Sequence, residues 1–124
     1  MPVTFAIDHD RRFVHARAEG VVSTRDIDAF LDAVVVDNAL PYRKLVDSRG
    51  AVGRYDAADM AVLAARVNTL RHIDRRGALA LVISPQHAAL TERFLALDRI
   101  GGRPARAFLD ADEARRWLEE QPEV

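Results

Sequence analysis

Ala78-Leu79-Ala80-Leu81-Val82-Ile83, followed at once by Ser84-Pro85, decides the architecture of this chain. The run is apolar at odd and even positions alike, so a strand built from it is central and covered on both faces. Ser84 then stands as a helix cap, with Pro85 at the first helical position. Leu90, Phe94, Leu97 and Ile100 mark one helical face before Gly101-Gly102 ends the element.

The same sign recurs elsewhere: a short polar residue closes an apolar run and opens an amphipathic helix at Ser23, Asp56 and Asp110. After Ser23, Asp26 completes a capping box, and Ile27, Phe30, Leu31 and Val34 follow at helical spacing. Asp56 repeats the arrangement with Asp59, ahead of the longest stripe, Met60, Leu63, Ala64, Val67, Leu70 and Ile73. Arg71, His72, Arg75 and Arg76 then read as a solvated basic helix end, favoured by the dipole. Asp110 pairs with Glu113, and Ala114, Trp117 and Leu118 dock a last helix.

Between these helices lie the remaining strands. Val3, Phe5 and Ile7 alternate, Asp8-His9-Asp10-Arg11 turns, and Phe13 to Val22 returns, which predicts an antiparallel hairpin. Lys44-Leu45-Val46-Asp47 reads as a short third strand, with Ser48-Arg49-Gly50 and Gly53 in a loop after it. Ala105 to Leu109 is the fifth. The order β-β-α-β-α-β-α-β-α implies one α/β domain over residues 1–124, with a mixed five-stranded sheet and four helices.

Composition narrows the function classes. The 124 residues carry a net charge of −1, which argues against a general nucleic-acid binder. The absence of Cys removes disulfides and thiolate chemistry. Seventeen of the eighteen basic residues are Arg, and Lys44 is the single Lys. The start lacks the basic and apolar regions of a secretory signal, and no apolar run is long enough for a transmembrane segment, so a cytoplasmic protein is expected. His9, His15, His72 and His87 lack zinc spacing, with His9 read as solvated and His15 as polar-facing. No cofactor motif stands out.

The pattern as a whole resembles the SpoIIAA-like, STAS-type domains, in particular the stand-alone bacterial branch related to CRAL-TRIO lipid-binding domains. The resemblance is carried by Gly20-Val21-Val22, by Leu45-Val46-Asp47, by the 78–83 run, and by Phe108-Leu109-Asp110 with Ala114 and Trp117-Leu118. In the anti-anti-sigma members, a serine at the start of the helix after this strand is phosphorylated. Here Asp56-Ala57-Ala58-Asp59 occupies that stretch, so the resemblance brings no phosphoserine switch.

In open parallel sheets, ligands gather beyond the carboxyl ends of the strands. That edge is expected to collect Asp47, Ser48, Arg49, Arg54, Tyr55, Asp56, Ser84, Gln86 and His87 as a partner or ligand surface, with Asp110 nearby. Arg49 or Arg54 would hold an anion there. Ser48, His87 and Asp47 lack the G-x-S-x-G elbow of a hydrolase triad, and nothing else speaks for an enzyme. Two functions are therefore expected: a non-enzymatic regulatory or protein-interaction module, with a protein partner or itself as a homodimer, or a binder of a lipid-like ligand. A cavity lined by Met60, Leu63, Leu90 and Phe94 would favour the second.

Overall fold

The computed structural model describes residues 2–53 and 55–124. Its strands are β1 (Val3–Asp8), β2 (Phe13–Val21), β3 (Arg43–Val52), β4 (Leu79–Val82) and β5 (Ala105–Phe108). Its helices are α1 (Thr24–Val36), α2 (Ala57–Thr69), α3 (Ala88–Ile100) and α4 (Ala111–Glu120), with single 3-10 turns at 70–72 and 85–87. The five strands lie side by side in chain order; β1 and β2 are antiparallel and the rest run parallel.

That order positions the helices. Successive right-handed crossovers between adjacent parallel strands all fall on one side of a sheet. Buried side chains of α1, α2 and α3 accordingly meet Val14, Leu79 and Ala105, while α4 packs through Ala114 and Leu118 against Leu45, Ala80, Val82 and Phe108 on the other side. Both faces of β4 are thus covered within one chain, Leu79 and Leu81 above and Ala80 and Val82 below. This strand by itself calls for no second copy.

Several sequence expectations are corrected. β3 is ten residues long, because Ser48-Arg49-Gly50 continues the strand instead of looping: Gly50, Ala51 and Val52 pair with Glu19, Gly20 and Val21. Ser84 does not cap; its hydroxyl donates to the Arg49 carbonyl, and a 3-10 turn intervenes before α3. Asp110 accepts from the Asp112 amide, and no reciprocal bond from Glu113 completes a box. α3 is rotated from the expected face, leaving Leu97 37% and Ile100 75% exposed, while Phe94, Leu95 and Asp98 turn inward. Ile73 follows the end of α2 and is exposed. Arg76, expected in solvent, is buried. His9 is not merely solvated, since its Nδ1 lies 2.7 Å from the Tyr42 hydroxyl. β2 is interior, so His15 is half-buried there, and burial foremost lowers its pKa. The capping boxes at Ser23 and Asp56 form as read.

Candidate functional site

The helices sit unevenly over the sheet. α1 lies over β1, and α3 packs on β5 and along α2. Among the described residues, no Cα of α2 comes within 8 Å of any strand or of α1. The floor beneath α2 includes the small side chains of Ala16 and Ala18 from β2 and Ala51 from β3, which do not reach up to fill the gap. A cavity of about 440 Å³ results. Its walls are Ile27, Phe30 and Leu31 of α1, Met60 and Leu63 of α2, and Leu90 and Phe94 of α3.

The volume is large. An engineered apolar cavity of roughly 150 Å³ already takes up benzene. At about 24 cal/mol per Å³, a sealed void of this size would cost on the order of 10 kcal/mol. That rivals the total stability of a domain. The cavity is instead a cleft between α1 and α2, where exposed Asp28 and Val62 and half-buried Arg66 complete its lining. Among the described residues, Arg66 makes the ion pairs between the two helices there, its Nε 3.3 Å from Asp28 Oδ1 and its Nη2 3.5 Å from Asp32 Oδ1.

The two ends of the cleft differ chemically. At the carboxyl ends of the strands it is bordered by Ser48, Tyr55 and His87. Ser48 Oγ donates to the Val82 carbonyl, and the Tyr55 hydroxyl donates to the carbonyl of Val22, with burial raising the phenol pKa. At the amino ends lie Lys44, Arg76 and Arg103, which are 5%, 6% and 8% exposed. Lys44 Nζ donates to the carbonyls of Leu40 (2.5 Å) and Tyr42 (2.7 Å). Burial, then repulsion from Arg103 and Arg76, pushes its amine well below the ordinary lysine value. Arg103 clasps Asp98 with two bonds of 3.0 and 2.8 Å, and Arg76 Nη1 stands 3.6 Å from the same carboxylate.

The structure divides the residues expected at one edge. Ser48, Tyr55 and His87 border the cleft. Asp47 shares β3's opposite face with Leu45 and is bound to Arg49 at 2.7 and 3.0 Å, so Ser48, His87 and Asp47 do not assemble into a triad. Asp56 is spent in its capping box, Ser84 on the Arg49 carbonyl, and Gln86 is exposed. Arg54 lies outside the described residues. Lys44, Asp98 and Arg103 were missed; the available signal was a lone lysine at an inward position of an alternating strand.

The Arg49 guanidinium holds the Asp47 carboxyl below its usual range. A depressed acid stabilises the fold above its unfolded pKa, about 3.9, and loses that contribution as pH falls through the folded value. Arg49→Ala should therefore lower stability at neutral pH and flatten its decline below about pH 4. Asp26, also depressed through its bonds with Ser23, titrates in both proteins and cancels in the difference. Parallel urea-unfolding curves from pH 2 to 7 check this; identical profiles would show the pair contributes nothing.

No family profile matches the chain, and no curated protein matches it. Among solved structures, it is similar to an uncharacterised protein of the DUF3478 family with a SpoIIAA-like fold, from Shewanella loihica PV-4. The two share 16% sequence identity with a TM-score of 0.61, covering 94% of this chain and 93% of that one. The mixed five-stranded sheet with one antiparallel edge and four helices is as read from the sequence, and with this neighbour it shows the fold: the chain folds as a SpoIIAA-like α/β domain.

Proposed function

We propose that this domain is a non-enzymatic binding module that takes a small apolar, lipid-like ligand into the cleft beneath α2. The observation that carries the reading is the 440 Å³ space enclosed by α1, α2, α3 and the sheet. Ligand sites of roughly 300–1,000 Å³, mainly apolar with a few polar groups, are the usual size. Met60, Leu63, Leu90 and Phe94 all line this one. No described helix is long and apolar enough to cross a membrane.

A regulatory or protein-interaction role at the carboxyl edge has less behind it, since Asp47, Arg49 and Ser84 are engaged with one another. Native mass spectrometry of protein purified from its own cells tests both readings. The expected spectrum shows an adduct that organic extraction removes. A bare chain that also ignores added apolar probes would refute the binder, and the same spectrum reports subunit number.

A further inference from the structure

At the amino end of the cleft, closed by buried side chains, three basic groups face one carboxylate among the described residues. Lys44, Arg76 and Arg103 converge there, all buried, and Asp98, itself fully buried, is the carboxylate among them. Arg103 takes both oxygens of Asp98, leaving Arg76 at the longer 3.6 Å. Arg76 Nη1 finds the Val67 carbonyl and the Asn68 side chain, but its Nη2 is buried with no partner among the described residues. A charged amine has three donors. Lys44 spends two on backbone carbonyls, which leaves one. Uncompensated buried cations are costly, and an arriving anion offsets that cost.

We propose, building on the cleft as a lipid site, that its ligand is a single-chain carboxylate whose chain lies under α2 and whose head group meets Lys44 at the closed end. The choice of head group follows from burial. A carboxylate ends a chain, so it fits a pocket end walled by three buried side chains. A phosphodiester would carry a second substituent past Lys44, Arg76 and Arg103, all of them buried. A carboxylate also supplies a single negative charge, which suits one vacant ammonium donor beside an already paired arginine. Burial opposes the charge on Lys44, and an incoming anion favours it.

The test is calorimetric titration of the full chain with dodecanoate, dodecanol and dodecylamine. Dodecanoate should bind at least tenfold more tightly than dodecanol, and dodecylamine most weakly. Lys44→Met should erase the preference for acid over alcohol while leaving alcohol affinity within about threefold, a readout that loss of folding could not mimic. Should that variant fail to fold, the wild-type ranking of acid, alcohol and amine decides alone. Equal binding of acid and alcohol, or an undiminished preference in Lys44→Met, would overturn the head-group assignment and leave the cleft reading intact. Silence from all three probes would overturn the cleft reading, and this inference with it.

Discussion

Asp98→Asn should cost about 3–5 kcal/mol of folding stability, the range for breaking a buried pair from one side. For a chain of this length that is a fall of roughly 10–20 °C in Tm. Asp98 is fully buried at the end of α3, and its two oxygens are the charged partners of Arg103 and, more distantly, Arg76. The amide matches the carboxylate in shape, so packing is preserved, while the charge and one of the two acceptors of Arg103 are lost. Two guanidinium groups would then be buried with dipoles alone. Gly101 closes one escape, because a Cβ there would collide with the Arg76 guanidinium: the backbone already lies against it. Urea unfolding followed by circular dichroism measures the loss. A change below about 1 kcal/mol would mean that water reaches these groups, and that the amino-end pocket is not dry.

The largest effect on binding is expected from Ala16→Leu combined with Ala18→Leu. Both alanines lie on the floor of the cleft, and both are buried. Each leucine would occupy the place of about three ligand methylenes, at about 0.8 kcal/mol per methylene. Together they remove about 5 kcal/mol of chain burial, more than a thousandfold in affinity. Stability is followed separately, because both alanines are buried and Ala18 packs with Val3 and Val22, so the added carbon also presses on packed neighbours. Displacement of a fluorescent apolar probe, read beside thermal unfolding, separates the two effects. Full affinity in the double variant would place the ligand elsewhere on the molecule.

The order of elements was legible because local chemistry and tertiary demand agree. Ser23 and Asp56 close capping boxes just where the apolar stripes begin, and the 79–82 segment is covered above and below as its uniform apolarity requires. β3 was read short because Ser48-Arg49-Gly50 looks like a turn. The strand extends through those residues because the far end of β2 is there to pair with it, and such a partner leaves no mark on the local pattern. α3 misled for a related reason. Its inward face is Thr91, Phe94, Leu95 and Asp98, spaced as a helix face should be, but a charged residue in that stripe reads as solvent-facing. Arg103, five residues on and outside the helix, and more distantly Arg76 offset the cost of its burial.

The candidate site was half legible for the same physical reason. Helical apolar stripes named Met60, Leu63, Leu90 and Phe94, since side chains that face a core also face any hollow in it. Nothing in a one-dimensional pattern tells a filled interior from an unfilled one. That depends on how far α2 stands from its neighbours, and on Ala16 and Ala18 lying beneath it. The carboxyl-edge residues were placed on one rim by topology, yet alternation along β3 sends Ser48 to one side and Asp47 to the other.

Arg66 gives the cleft a particular kind of door. Across its mouth the Arg66 side chain of α2 reaches two partly exposed carboxylates of α1, a contact easily surrendered to water and weakened by salt. A guest could therefore slip in or out while every helix and strand keeps its place. Residence would be governed by how well the interior suits the guest, and the threshold would matter little.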